Sequence, residues 1–282
     1  MNCGESNFRY GLSEYFAVRS EIRHCTLSGL SGSGDDYEFS LYYTGGCLFE
    51  DNIVYNYNNP FLLESCIGDA FAYNYTTNGN SGTGANMNSG DFASHGGNNA
   101  MNLLEGNNFM QVSLDNGWGS AFGFVLLRNR ITGWDESGGN YGNYVAAIDD
   151  YSMNRSMTVV GNVLGTTGKN TVYEAHGTSY NLVFLTQLSI SGVAPSPDPV
   201  VSSTLIRAMN WDSANGTVVS GGYTSADLPA SLLYSSKPSY FGNLAWPPVD
   251  PTNPVYSSSY TNIPAAYRFN LGKDPSTTSV NQ

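Results

Sequence analysis

Two phrases in the stretch 101–131 set the strongest constraint on this chain. Met101-Asn102-Leu103-Leu104-Glu105-Gly106-Asn107-Asn108-Phe109 runs apolar, then polar, then Asn, then apolar. Phe124-Val125-Leu126-Leu127-Arg128-Asn129-Arg130-Ile131 repeats that order, and Asn107 and Asn129 stand 22 residues apart. A strand, a turn at Asn and a second strand, recurring at one period, describe a chain wound into stacked coils. A coil of that length, holding two or three short strands, is the size of one rung of a right-handed parallel β-helix.

The Asn after each apolar run serves as a register mark. Ile22-Arg23-His24-Cys25-Thr26-Leu27 puts Cys25 at the mark. Cys47-Leu48-Phe49-Glu50-Asp51-Asn52 and Ala70-Phe71-Ala72-Tyr73-Asn74 follow, then Asn107 and Asn129, then Met157-Thr158-Val159-Val160-Gly161-Asn162. A weaker copy, Leu182-Val183-Phe184-Leu185-Thr186-Gln187, puts Gln187 there. Marks at 25, 52, 74, 107, 129, 162 and 187 are spaced by 27, 22, 33, 22, 33 and 25 residues. The short steps are the bare coil and the long ones carry insertions. Rungs would pair about 4.8 Å apart and stack like residues in columns. Asn52, Asn74, Asn107, Asn129 and Asn162 would then form an amide ladder, because Asn tolerates a left-handed backbone and satisfies turn groups. The pattern is not that of leucine-rich repeats, since no LxxLxL precedes the Asn.

Insertions and tail are readable by composition. Residues 76–100 are rich in Gly, Asn and Ser and lack apolar periodicity, as a long loop does. Residues 133–146 form a second loop, offering Trp134, Tyr141 and Tyr144. The rhythm breaks after 190, at Ala194-Pro195-Ser196-Pro197-Asp198-Pro199. The expected organisation is a parallel β-helix over 1–193, with seven or eight recognisable coils. An irregular C-terminal cap over 194–282 follows, anchored by Tyr240, Phe241, Trp246 and Tyr267.

Composition supports an all-β chain and narrows its partners. Charged residues are 12%, about half the usual share, and helix-forming runs are scarce. The net charge of −12 comes with no basic stripe, so nucleic acid is excluded as a partner. The same charge repels polyanionic glycans unless Ca²⁺ intervenes. No run of 18 apolar residues is present, so no helix spans a membrane. Cys3, Cys25, Cys47 and Cys66 are even in number and form no CxxC pair, which points to secretion with one or two disulfides rather than to zinc. Sequons stand at Asn74, Asn154 and Asn215. The first residues lack a signal peptide, yet strand material begins at once (Phe16-Ala17-Val18-Arg19); the expectation is a secreted chain whose upstream part is missing.

The chain resembles bacterial secreted right-handed parallel β-helix repeat proteins of the pectate-lyase-like superfamily. The phrases that carry the resemblance are Cys47-Leu48-Phe49-Glu50-Asp51-Asn52-Ile53, Phe71-Ala72-Tyr73-Asn74-Tyr75, Asn102-Leu103-Leu104-Glu105-Gly106-Asn107, Val159-Val160-Gly161-Asn162-Val163-Leu164-Gly165-Thr166, and Ser235-Ser236-Lys237-Pro238-Ser239-Tyr240-Phe241-Gly242 with Trp246-Pro247-Pro248. They cover roughly 40–270. The resemblance implies the fold. It implies no reaction, although the wider superfamily is rich in polysaccharide lyases and hydrolases.

Counting back from the marks gives a candidate site. His95 lies 12 before Asn107, Asp115 14 before Asn129, and Asp149 and Asp150 13 and 12 before Asn162. Glu174 and His176 lie 13 and 11 before Gln187. Four successive rungs thus place ionisable groups near one angular position. His95, Asp115, Asp149 and Asp150 would be candidate acid–base groups, since clustered carboxylates raise one another's pKa. A carboxylate pair across a sugar is also what glycosidases need, and the cluster could instead hold Ca²⁺. Trp118 would stack on a sugar face, with Arg128, Glu174 and His176 completing the binding surface. Asp149-Asp150 followed by His176-Gly177 is similar to the order of polygalacturonase motifs. It departs from them in having Ala175 before the His and no Arg-Ile-Lys after it. Arg128 and Arg155 are the arginines a lyase could use as a base. Gly32-Ser33-Gly34-Asp35-Asp36 has no following Lys and helix, so it is no phosphate loop, and His24 reads as a wall residue.

The functional expectation is an extracellular protein that binds or cleaves polysaccharide through the face carrying His95, Asp115, Trp118, Asp149 and Asp150. If it is an enzyme, it is a polysaccharide lyase or glycoside hydrolase. The alternative is a surface or filament subunit that self-assembles through coil ends or faces, without catalysis.

Overall fold

The computed structural model describes residues 2–3, 10–28, 37–79, 90–134, 146–177, 181–189, 196–255 and 260–276. Tyr141, Tyr144, the Gly32–Asp36 loop, residues 80–89 of the 76–100 insertion and the Cys3 side chain lie outside them, and the rest of that insertion is not loop throughout, since Phe92–Gly96 and Asn99–Ala100 are strands.

The chain is mostly β-structure in parallel sheets. The first sheet holds Asn2–Cys3, Thr26–Ser28, Ile53–Tyr55, Tyr75–Thr77, Asn108–Phe109, Arg130–Ile131, Val163–Leu164 and Asn210–Asp212, with Thr217–Val219 antiparallel at one edge. The second holds Tyr10–Tyr15, Tyr37–Tyr42, Asn59–Glu64, Phe92–Gly96, Val112–Trp118, Ala146–Asp150, Leu182–Thr186 and Val172–Ala175. The third holds Glu21–Arg23, Leu48–Glu50, Ala70–Ala72, Leu103–Glu105, Val125–Leu127, Thr158–Val160 and Ile206–Ala208. Through most of its length the chain visits the three sheets in rotation. Each strand pairs with the one laid down a circuit earlier, so the other two sheets supply the crossover that parallel pairing requires. In the third sheet, Leu48, Ala70, Leu103, Val125 and Thr158 stay in one register.

Period-two alternation puts one residue set of each strand inside. Phe49, Phe71, Leu104, Leu126 and Val159 line the interior from the third sheet, and Phe39, Phe61, Phe92, Ile148 and Phe184 from the second. Like residues stack: Phe39 on Phe61 at 4.9 Å between ring centres, Phe49 on Phe71 at 5.0 Å.

The amide ladder stands between the third and first sheets. Asn52, Asn74, Asn107, Asn129 and Asn162 each donate Nδ2 to the next Oδ1 at 2.9–3.0 Å. Each Oδ1 after the first also accepts the backbone N–H of the preceding ladder residue. The last rung is Asn210, not Gln187. Leu182–Thr186 belongs to the second sheet, where it pairs with Ala146–Asp150. The left-handed residue is the one before each mark: His24, Asp51, Tyr73, Gly106, Arg128, Gly161 and Met209 have φ between 53° and 69°. Asn is therefore required for its amide rather than for backbone freedom. At Gly106 a Cβ would lie 2.4 Å from the Tyr73 ring, so that turn also needs glycine's missing side chain.

Sheet strands continue to 219, past the boundary expected at 193. The later chain then packs on the outer sides of the first and third sheets. Phe241, Val249, Tyr260, Ile263, Ala265 and Ala266 bury against Ile53, Tyr73, Tyr75 and Val163. Buried carboxylates fix this contact. Glu50 accepts from Tyr234 and from Tyr240 at 2.7 Å. Glu105 accepts from Ser231, from Leu232 N at 2.8 Å and from Tyr73 at 2.8 Å. Trp246 donates to Tyr73 Oη at 3.1 Å. The helix Pro264–Leu271 presents Arg268 to Asp51 at 2.5 Å.

Cys25, Cys47 and Cys66 are thiols, so the disulfides expected among them do not form. Their positions explain it: Cys25 heads the amide ladder, Cys47 precedes a third-sheet strand, and Cys66 lies at the corner after the second sheet. Of the sequon asparagines, Asn74 and Asn154 are buried and hydrogen-bonded inward, and Asn215 is exposed.

Candidate functional site

The repeat is broken once on the outer face of the second sheet, and ionisable groups gather there. Phe92 pairs with Val112, Ala93 with Ser113 and Ser94 with Leu114; the next pair is Gly96 with Trp118. His95 therefore faces Asp115, Asn116 and Gly117 alone. Such a bulge bends the strand and re-aims its side chains. Glycines make room for it. A Cβ on Gly96 would lie 2.6 Å from Glu64 Cα, one on Gly97 2.8 Å from Trp118 O, and one on Gly119 2.6 Å from Gly97 Cα.

The side chains form a chain of hydrogen bonds. His95 Nδ1 lies 2.6 Å from Asp115 Oδ2. Trp118 Nε1 donates to His95 Nε2 at 2.9 Å. Asp115 Oδ1 accepts the Gly117 N–H at 2.8 Å, closing the bulge on itself. Because the indole can only donate, Nε2 is the acceptor and Nδ1 carries the hydrogen given to Asp115. Both ring nitrogens are thus committed in a neutral imidazole. Asp115 is buried, His95 half-buried, and Trp118 is 75% exposed.

Glu64 flanks His95 on the other side: Leu63 pairs with Ser94, so Glu64 and His95 follow side by side. Burial pushes the Glu64 carboxyl up; a positive charge on His95 would oppose this, and Asp115's charge adds to it. Glu64 did not emerge from counting back, because it lies 10 residues before its mark, Asn74, rather than the 11 to 14 of the other groups. Its signal was the outward position closing Phe61-Leu62-Leu63-Glu64.

The other expected site residues are not brought together here. Asp149 pairs with Ser113 and shares the outward side, but it is buried. Gln111 Nε2 donates to its Oδ2 at 2.9 Å. Asp149 Oδ1 and Gln111 Oε1 have no hydrogen-bond partner among the described residues. Burial pushes the Asp149 carboxyl up to about 8; the Gln111 bond lowers it, and Asp115 and Asp150 add to the rise. Asp150, one residue on, must point the opposite way. It joins Leu114 and Thr186 on the interior side, where burial raises it to about 7 against Asn154, Arg155 and Arg207.

Half-buried Glu174 and exposed His176 join that group through Thr186 rather than the outer face. Glu174 accepts from Thr186 at 2.7 Å, Ser202 at 3.1 Å and Arg207 at 2.9 Å. His176 Nδ1 lies 2.9 Å from Thr186 Oγ1. Arg207 continues the inward column of Leu126 and Val159 and lies over the Phe184 and Tyr173 rings. This cluster closes the apolar interior at the last strands with a paired charge, which the count from Gln187 had merged with the outer face. Arg128 is also elsewhere. It sits at the turn after the third sheet and donates to Pro229 O at 2.7 Å and Val249 O at 3.0 Å, tethering the C-terminal chain. Arg155 pairs with Asp198 at 2.9 Å.

Among the described residues no three His, Cys, Asp or Glu side chains converge as metal ligands. No family model, no curated protein and no solved structure matches this chain.

Proposed function

We propose that the three sheets wind as a right-handed parallel β-helix and that this extracellular protein binds polysaccharide on the outward face of the second sheet, with Trp118 as its platform. The observation that carries the reading is the support given to Trp118. A large aromatic held out in solvent is a cost unless something covers it. Here it is also fixed, through His95, to a buried carboxylate. A rigid, exposed ring with a polar edge suits the apolar face of a sugar.

Binding is better supported than cleavage. Glu64 and Asp115 stand two strands apart, about 10 Å between backbones, near the separation used by inverting glycosidases. Yet His95 and Asp115 spend their polar atoms on one another, on Gly117 and on Trp118. A charge of −12 further favours neutral over polyanionic glycans.

Affinity electrophoresis through gels containing neutral polysaccharides or polygalacturonate tests this. Retardation by a neutral polymer, abolished in Trp118→Ala, is the expected result. Migration unaffected by every neutral polymer, or equal retardation of Trp118→Ala, would overturn it. A second reading, self-association, is favoured by the apolar corner between the second and third sheets, where Phe16, Val18, Tyr43, Ile67, Met101 and Phe122 are exposed. Sedimentation velocity distinguishes it, since a filament subunit would sediment as concentration-dependent polymers.

A further inference from the structure

The outward column that contains His95 continues beyond it. Strand pairing aligns Tyr15 with Tyr42 and Tyr42 with Glu64, and Glu64 lies beside His95. One outward side chain per strand therefore gives the sequence Tyr15, Tyr42, Glu64, His95, Asp115, with Trp118 over the last two. The Tyr15 and Tyr42 rings stack at 4.6 Å with 7° between planes. Next to them Phe16 and Tyr43 stack at 5.1 Å, also at 7°. Phe16 and Tyr43 have φ of 55° and 56°, which turns their rings out at the end of the sheet. Tyr15, Phe16 and Tyr43 are all more than half exposed. Two aromatic clusters thus face solvent at the ends of one column, with a carboxylate between them.

We infer that this column is an extended track for a single linear, uncharged glycan lying across the strands, with Trp118 at one end and the Tyr15–Tyr42 and Phe16–Tyr43 stacks at the other. The inference rests on the glycan-binding reading and specifies its extent and ligand. Four strand steps span roughly 19 Å, close to the length of four hexoses in an extended chain. Rings at both ends cover apolar sugar faces, and Glu64 accepts hydrogen bonds from hydroxyls in the middle. The column itself carries no Lys or Arg to neutralise a uronate. A peptide is a poorer fit. Tyr37–Tyr42 and Asn59–Glu64 are paired on both sides, so their backbones have no free edge for strand addition.

Titration calorimetry with β-linked glucose, xylose and N-acetylglucosamine oligomers, from disaccharide to hexasaccharide, tests the track. Affinity should rise with length up to about the tetrasaccharide expected from the strand spacing. Tyr42→Ala and, separately, Tyr15→Ala should weaken hexasaccharide binding roughly three- to tenfold and leave disaccharide binding unchanged. Trp118→Ala should weaken both. Tyr15 is solvent-facing, so its variant tests the track even if Tyr42→Ala fails to fold. If the wild type binds and Trp118→Ala does not, but Tyr15→Ala binds the hexasaccharide as tightly as wild type, the track is wrong and the Trp118 platform stands. If the wild type binds no oligomer and no polymer, both readings fall.

Discussion

Two His–Asp pairs of equal length stand on this molecule, and they do different work. His24 Nδ1 lies 2.6 Å from Asp51 Oδ2, and His95 Nδ1 lies 2.6 Å from Asp115 Oδ2. Around the first pair the C-terminal chain closes. Asp51 also receives Arg268 at both its side chain and its carbonyl, and Tyr240 packs edge-on against His24. Around the second pair the partner is local, the Trp118 indole from the bulge. The shared geometry follows from stacking, because residues side by side on adjacent circuits sit about one strand spacing apart. A His over an Asp is thus what a parallel stack produces whenever the two fall in one column. What covers the pair, and not the pair itself, separates a tether from a site.

The sharpest way to break this comparison is at Arg268. Asp51 is fully buried and accepts from His24 and Arg268. Removing the charged partner of a buried carboxylate costs about 3–5 kcal/mol when no other charge replaces it, and the half-exposed His24 is charged only when protonated. Arg268→Ala should therefore lower unfolding free energy in urea by about 3 kcal/mol while glycan retardation by the folded protein is unchanged. A loss below about 1 kcal/mol would show that the C-terminal chain is held by its apolar contacts and by Glu50, Glu105 and Arg128, not by the Asp51 pair.

Asp149 is the counterpart of Asp51 without a cation. Its carboxyl is held near 8 in the folded protein against an ordinary 3.8. The folded state keeps a proton that the unfolded chain releases between those values, so stability falls as pH rises from about 4 to about 8. Asp149→Asn is isosteric with the protonated form and removes the penalty. It should be more stable than wild type by about 2–4 kcal/mol near pH 9 and no more stable near pH 4. Parallel stability–pH curves for the two proteins would refute a neutral Asp149.

The ladder was legible because it makes one demand at one place: a side-chain amide after each left-handed residue. Asn52 through Asn162 met it. Asn210 was missed although Leu205-Ile206-Arg207-Ala208-Met209-Asn210 repeats the phrase, because Arg207 interrupts the apolar run. Gln187 imitates the mark because an apolar strand of the second sheet also ends in an amide. That slip carried Glu174 and His176 to the wrong side. His95 and Asp115 were legible because the insertion between Asn74 and Asn107 falls before His95, which keeps its count to Asn107 close to that of Asp115 to Asn129, and Trp118 follows from its place beside Asp115. Asp149 and Asp150 could not share a face, as strand alternation alone requires. Glu50 and Glu105 gave no signal of their role, since the Tyr234 and Tyr240 hydroxyls and the Ser231 and Leu232 donors that tie them to the C-terminal chain come from more than a hundred residues away.

The smallest effects come from deleting each histidine in turn, and they divide the two pairs most cleanly. In His24→Ala, Arg268 still compensates Asp51, so stability should fall by no more than about 1 kcal/mol and glycan binding should not move. In His95→Ala, Trp118 loses its acceptor and its fixed orientation. Ordering a free side chain on binding costs about 0.5–1.5 kcal/mol, so affinity should drop roughly three- to tenfold. His95→Gln separates positioning from packing, because a Gln oxygen that reaches the indole N–H would restore part of the binding, whereas a ring acting only by its bulk would not be replaced. Equal losses of binding in His24→Ala and His95→Ala, measured by the same calorimetry, would mean that the two pairs act on one surface and that coverage by the C-terminal chain does not tell them apart.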